Sequence, residues 1–142
     1  MAWIKTTPVK KKKPKILPVN SINFPELNSY YSGECVSPTK GDNWVRCHTG
    51  GDGAIVVQLG NFSTKGYKQL IFNCSSNNWG RNVPDSKLYV NGSYVQTISR
   101  QGTTDVTVNV SGNIMNATLQ CSFIPNDDAW VEVHLNSVTF VP

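Results

Sequence analysis

Charged residues are scarce in this sequence, which limits the partners it can have. They make up 15% of the 142-residue chain, against about 25% in an average globular protein. The net charge of +4 is uneven, because six lysines lie within residues 1–15 whereas residues 16–142 carry 7 basic and 9 acidic side chains. The body is slightly acidic and no aromatic stacking platform accompanies the lysines, so nucleic acid is disfavoured as a partner.

Long apolar runs and catalytic motifs are also missing. No stretch approaches the roughly 20 apolar residues of a membrane-spanning helix, and residues 1–15 lack the apolar segment of a secretory signal. We therefore expect neither a membrane partner nor secretion. The sequence contains two histidines and no G-x-S-x-G, H-E-x-x-H, P-loop or G-x-G-x-x-G motif. No enzyme activity is predicted.

The four cysteines include no C-x-x-C pair, which disfavours a zinc site. A chain without a secretory signal is expected to keep its thiols reduced, so free cysteines are predicted. Cys74 shares strand parity with Leu70 and Phe72, and Cys121 lies in a similar alternating segment. Both are therefore predicted to be small core residues.

Short alternating segments rich in uncharged polar residues dominate the chain after its lysine-rich start. The whole sequence contains 15 Asn, 13 Ser and 11 Thr. No window of ten residues has helical periodicity, and Gly, Asn, Asp, Ser and Pro separate the segments. The pattern predicts an all-β protein, an antiparallel β-sandwich or jelly roll. The clearest predicted strands are Ala54–Leu59, Gln69–Ser75, Lys87–Val90, Ser93–Ser99, Thr103–Val110, Ala117–Ile124 and Ala129–Val141.

Two local features refine this prediction. Asn91-Gly92 is the dipeptide preferred in a two-residue hairpin turn that needs positive φ. In the last strand the apolar parity shifts after Leu135, which predicts a β-bulge near Asn136-Ser137. Residues 21–50 alternate poorly, so their place in the sandwich is left open.

Residues 1–20 are predicted to form an extended basic arm ahead of a single module over residues 21–142. Pro8, Pro14 and Pro18 interrupt the lysine run, which argues against a helix. Such a segment cannot bury enough apolar surface alone, so we expect it to dock on a partner. The residues predicted to make this contact are Trp3, Ile4, Lys10, Lys11, Lys12, Lys13 and Lys15.

The order of the segments from Ala54 to Val141 resembles the galactose-binding-like β-sandwich of many carbohydrate-binding modules. The similarity lies in the strand Val56-Val57-Gln58-Leu59-Gly60, the strand over 67–72, the hairpin over 88–95 and the closing strand over 131–140. This resemblance implies a non-catalytic domain whose loops bind sugars, often with a structural calcium ion.

The segment over 75–82 carries the residue types that bind sugars, since an indole can stack on a sugar ring and amides or guanidinium groups can bind its hydroxyls. The candidates there are Trp79, Asn77, Asn78 and Arg81, and Trp44 offers a second such position. The alternative is that Trp79 folds back as a lid on the sandwich, as tryptophans are usually well buried. Trp130 begins a strand and is predicted to lie in the core or an interface.

Clustered oxygen ligands for calcium are limited to Asp52 in a Gly-rich segment and to Asp127 and Asp128. Calcium takes six to eight oxygen ligands, and these segments are equally typical of simple turns. Apart from this calcium ion, no cofactor is predicted.

An Asn-rich chain that begins with Met, lacks a signal and carries a basic arm also resembles small accessory proteins of bacteriophage tails and baseplates. That resemblance implies a virion protein, attached to other virion subunits by its arm, whose module binds cell-surface glycans. The alternative is a purely structural or decoration subunit of the particle without a sugar ligand.

Overall fold

The computed structural model describes residues 15–18, 27–31, 35–41, 43–49, 54–80, 85–122 and 129–142, which form two antiparallel β-sheets. These ranges contain no helix, and so none long and apolar enough to cross a membrane. From Trp44 onward the chain passes repeatedly between the sheets. The predicted antiparallel β-sandwich is confirmed.

The first sheet has seven strands in the described part of the chain, with the order β10-β6-β12-β4-β3 and with β1 and β7 also paired to β12. Its strands are β1 (Lys15–Pro18), β3 (Cys35–Lys40), β4 (Trp44–Thr49), β6 (Gln69–Asn77), β7 (Trp79–Gly80), β10 (Gln101–Asn109) and β12 (Ala129–Val141). The second sheet has the order β2-β5-β11-β8-β9. Its strands are β2 (Leu27–Tyr31), β5 (Ala54–Ser63), β8 (Ser86–Val90), β9 (Ser93–Ile98) and β11 (Ile114–Ser122).

The core lies between the sheets, where alternate residues of each strand are buried. In β12 the buried residues follow the predicted parity, with a register shift between Leu135 and Ser137. This confirms the bulge, which keeps Val138 and Phe140 on the inner face. The main buried side chains are Val45, Ile55, Leu59, Leu70, Phe72, Leu88, Leu119, Val131, Val133 and Leu135.

The hairpin between β8 and β9 turns at Asn91-Gly92, as predicted. Asn91 has φ 51° and Gly92 has φ 79°, which is the pair of positive values that a type I′ turn requires. The side chain of Asn91 also accepts a hydrogen bond from the backbone N–H of Asn116, at 3.0 Å, and so ties the turn to β11.

The cysteines divide into two kinds. Cys74 and Cys121 are fully buried, which confirms their predicted place in the core. Cys47 is disulfide-bonded, so the expectation of free thiols is wrong for this residue. The lack of a recognisable signal segment was therefore a poor guide to its oxidation state.

Several strand limits differ from the sequence prediction. β1 lies inside the predicted arm and pairs with β12 from Lys15 opposite Phe140 to Pro18 opposite Ser137, so the first sheet begins before residue 21. β11 begins at Ile114 rather than Ala117, and its buried residues keep one alternation although its pairing with β5 shifts between Met115 and Ala117.

Candidate functional site

The outer face of the first sheet carries most of the aromatic and amide side chains that the structure describes on that sheet. Alternation buries one set of residues in β4, β6 and β12 and turns the other set outward. The outward set is partly exposed. It comprises Trp44, Arg46 and His48 of β4, Asn73 and Ser75 of β6, and Trp130, Glu132, His134 and Asn136 of β12.

Three aromatic rings form a row across this face. Trp130 pairs with His48 on one side and with Trp79 on the other, so the three side chains stand next to one another on adjacent strands. The indoles of Trp79 and Trp130 are stacked with centroids 5.9 Å apart and planes at 20°, and the His48 ring lies 5.0 Å from that of Trp130. We call Trp79, Trp130 and His48 the aromatic row.

Trp79 ends this row and is 50% exposed. It does not fold back as a lid on the sandwich, which was the alternative left open by the sequence. Trp130 is half-buried on the outer face rather than in the core, so its predicted place in the core is wrong, although an interface role stays untested. The row therefore presents one broad apolar surface to solvent at Trp79.

Asn78 points inward and is fully buried, although the sequence predicts it to be one of the sugar-binding side chains. Its side-chain oxygen accepts a hydrogen bond from the backbone N–H of Glu132 at 2.8 Å, and its amide nitrogen donates to Sγ of Cys121 at 3.5 Å. It therefore cannot reach a ligand. Its role is to hold β12 where β6 ends and β7 begins, which leaves Trp79 on the outer face.

A second aromatic pair lies further along the same two strands. The rings of Trp44 and His134 are stacked with centroids 5.6 Å apart, and the guanidinium of Arg46 lies 5.8 Å from the centroid of the Trp44 ring. Gly41 makes room for this indole, because a Cβ at position 41 would meet the Trp44 ring. The predicted candidate Trp44 is thus part of the outer face.

Charged side chains lie between the two aromatic groups. One carboxylate oxygen of Glu132 is 2.8 Å from Nε2 of His134, and the other is 3.5 Å from a terminal nitrogen of Arg46. The Glu132 side chain is 15% exposed and that of Arg46 is 43% exposed. The carboxylate is therefore mostly covered, and the guanidinium is the more accessible charge.

Amide and hydroxyl groups continue the face toward β10 in what we call the polar ladder. Asn73 donates to Asp105 at 2.7 Å, and the hydroxyls of Ser75 and Thr103 are 3.0 Å apart. Asn136 donates to both Asn73 and Ser75, at 2.9 and 2.7 Å. These bonds fix the amide and hydroxyl groups in place across three strands, so they form a preorganised polar surface.

Three shallow grooves follow this surface. The largest, of about 390 Å³, runs along the polar ladder and is lined by Ser75, Ser76, Asn77, Gln101, Gly102, Thr103, His134 and Asn136. The other two flank Trp79. One, of about 280 Å³, is lined by Thr39, Arg46, Trp79 and Trp130, and the other, of about 270 Å³, by Asn78, Trp79, Gly80, Arg100 and Gln101.

Of the residues predicted from sequence to bind sugar, the structure brings Trp79, Asn77 and Trp44 to this face. The sequence did not indicate that one surface contains Trp130, His48, His134, Arg46 and Asn136. The alternation of each strand indicates that these side chains point outward. It does not indicate the strand register that brings them next to one another. The predicted residues that lie outside the described ranges are Arg81, Asp52, Asp127, Asp128, Trp3, Ile4 and Lys10, Lys11, Lys12 and Lys13, while Lys15 begins β1.

The described residues contain no group of three or more His, Cys, Asp or Glu side chains placed to hold a metal ion. Because the three aspartates predicted as calcium ligands lie outside those ranges, that site stays a prediction. Burial raises the pKa of Cys74 and of Cys121 to about 12, so neither thiol is a nucleophile at neutral pH.

Comparison with known proteins found similar structures but no similar sequences. No family model and no curated protein matches the sequence significantly. A low-affinity xylan-binding module, CBM86, from Roseburia intestinalis is 19% identical, with 91% of this chain and 95% of that module covered and a TM-score of 0.45.

Two further modules are similar to a comparable degree. A family 29 carbohydrate-binding module complexed with mannohexaose is 12% identical, with 91% of this chain and 93% of that one covered and a TM-score of 0.49. CBM36 in complex with calcium and xylotriose is 12% identical, with 89% and 98% covered and a TM-score of 0.38.

Proposed function

We propose that this protein is a non-catalytic module that binds glycans on the outer face of its first sheet. The observation that carries the proposal is the half-exposed indole of Trp79, held upright by stacking on Trp130 at 5.9 Å. A large exposed apolar side chain that is rigidly supported and bordered by polar groups is typical of a ligand site rather than of a neutral surface.

The chemistry of this face suits a sugar ring. Pyranoses have an apolar face formed by C–H groups, which packs on an indole, and a rim of hydroxyls that need hydrogen-bond partners. The grooves beside Trp79 supply such partners in Gln101, Arg46 and Thr39. The polar ladder extends the same surface with amides and hydroxyls, so a chain of several sugars would find contacts along it.

Binding would be tested by affinity electrophoresis and a glycan array, with the protein displayed in many copies because single-site affinity on an open face is weak. A ring stacked on one side of Trp79 covers roughly 60 Å² of indole, worth about 1.5 kcal/mol. The change Trp79→Ala should therefore weaken binding about tenfold. Tyr94→Ala is the matched control, because Tyr94 is 55% exposed but lies on the second sheet.

Two results would contradict this function. The first is absence of binding to any glycan by the wild type in the multivalent format, which would favour a purely structural subunit. The second is equal weakening by Trp79→Ala and Tyr94→Ala, which would place binding away from the outer face. Circular dichroism of each variant would show that its fold is intact.

We further propose that the module works on a virion, to whose other subunits the basic arm attaches it. The support is the lysine-rich composition of residues 1–15 and the disulfide bond of Cys47, since disulfides persist on virion and cell surfaces. Many copies on one particle would raise the avidity of weak sugar contacts.

Deleting residues 2–14 stops short of β1 and should abolish incorporation into particles without changing the unfolding midpoint. Normal incorporation of the truncated chain would contradict attachment by the arm.

A further inference from the structure

Arginine side chains lie on both sides of Trp79. Arg46 lines the groove that Trp79 shares with Trp130 and Thr39, and Arg100 lines the groove on the opposite side with Gln101. Among the described residues, no carboxylate lines either groove. Each of the two grooves beside this indole therefore has an arginine in its lining.

Arg46 has unused hydrogen-bonding capacity. Its contact with Glu132 is long, at 3.5 Å, and its side chain is 43% exposed. Glu132 makes its shorter contact, of 2.8 Å, with His134. The guanidinium is also held over the Trp44 ring, so it is positioned in advance and needs little ordering to accept a ligand.

Arg100 is fixed through its main chain, and the residue is exposed. Its backbone N–H donates to a carboxylate oxygen of Asp85 at 2.7 Å, and its carbonyl accepts from the backbone N–H of Asn78 at 2.8 Å. Asp85 is thus turned toward the main chain of Arg100. Among the described residues, the carboxylates of Asp85 and Glu132 are both already engaged by protein groups.

We propose, on the basis of the glycan-binding function above, that the preferred ligand is an acidic glycan that contains uronate residues. A uronate ring would stack on Trp79 while its carboxylate accepts hydrogen bonds from Arg46 or Arg100. Guanidinium and carboxylate match in planar, two-bond geometry, and such charge-assisted bonds are about twice as strong as neutral ones. A neutral sugar would gain the stacking but not the ionic contact.

The experiment compares ligands that differ only in charge. Affinity electrophoresis would use polygalacturonate, alginate and glucuronoxylan, each beside its carboxyl-reduced counterpart, which keeps the chain but replaces each uronate with a neutral sugar. The wild type should bind at least one uronate polymer about tenfold more tightly than the reduced form, as expected for one charge-assisted hydrogen bond. Arg46→Gln with Arg100→Gln should remove this preference, so that the double variant binds each charged polymer and its carboxyl-reduced counterpart equally.

Lys87→Gln is the control for overall charge, because Lys87 is exposed on β8 of the second sheet; it should keep the preference. Equal binding of charged and carboxyl-reduced polymers, or a preference that survives both arginine changes, would overturn the acidic-glycan inference and leave the glycan-binding function standing. Absence of binding to every polymer, charged or neutral, would refute that function and this inference together.

Discussion

The change Asn78→Ala tests whether this buried amide holds the site together. Asn78 occupies the break between β6 and β7, where its side-chain oxygen rather than a backbone carbonyl accepts the N–H of Glu132. The next residue is Trp79, whose ring must stay aligned with that of Trp130. Removing the amide should therefore affect both the stability of the sandwich and the alignment of the aromatic row.

The size of the effect follows from the burial of the amide. Asn78 is 0% exposed, so alanine would leave the N–H of Glu132 without its acceptor, at a cost of about 1–3 kcal/mol. The space left by the amide adds roughly 1 kcal/mol, because a rigid core closes such a cavity only in part. We expect a loss of about 2–4 kcal/mol in the free energy of unfolding.

The assay is urea unfolding followed by tryptophan fluorescence, without reductant so that the disulfide of Cys47 is kept. The exciton coupling between the indoles of Trp79 and Trp130, measured by circular dichroism, reports whether the aromatic row stays aligned. Asn77→Ala is the matched control, since Asn77 is exposed on the neighbouring position and should cost less than about 0.5 kcal/mol. Equal effects of the two changes, or an unaltered indole signal in Asn78→Ala, would refute the positioning role.

Further predictions concern other parts of the chain. Gly92→Ala should lower the free energy of unfolding in urea by about 1 kcal/mol, because Gly92 has a φ of 79° that side chains disfavour. A clash is not the cause, since a Cβ at position 92 meets nothing within 4 Å. An unchanged free energy of unfolding would contradict this prediction. Gly41→Ala should displace the Trp44 indole and change the near-ultraviolet circular dichroism, whereas an unchanged spectrum would show that the ring does not depend on Gly41. Cys74 and Cys121 should resist a thiol-reactive dye at pH 8 until the chain unfolds, and rapid labelling of the native protein would contradict their burial. Burial raises the pKa of both thiols from 9.0 to about 12, so their contribution to stability is complete below about pH 9 and falls as the pH rises toward 12, by on the order of 1 kcal/mol per thiol at pH 10. Replacing both with alanine should flatten this decline.

Features of the fold that depend on residues close together in the sequence were predictable from it. The turn at Asn91-Gly92 and the bulge after Leu135 follow from local backbone chemistry and from parity. The strands within residues 21–50 were not predicted. In β3, which contains Pro38, a register shift between Val36 and Thr39 interrupts the alternation that would have revealed the strand.

The candidate site was predicted only in part, for a related reason. Composition singled out Trp79 and Trp44, yet it grouped Asn78 with them although adjacent residues of a strand point to opposite faces. The partner of Trp79 could not be found because Trp130 and His48 are far away in sequence. Parity shows which face a side chain occupies, whereas the neighbour across the strand depends on long-range pairing.

The central position of β12 has a consequence for how the protein folds. The aromatic row draws on residues 48, 79 and 130, and β12 pairs with β1, β4, β6 and β7. Such distant pairings carry a large loop-closure cost and make folding slow. The row cannot assemble until Ala129–Val141 has been synthesised and inserted between β4 and β6. A nascent or partly unfolded chain therefore lacks the binding surface, and binding competence arises in the same cooperative step that completes the first sheet.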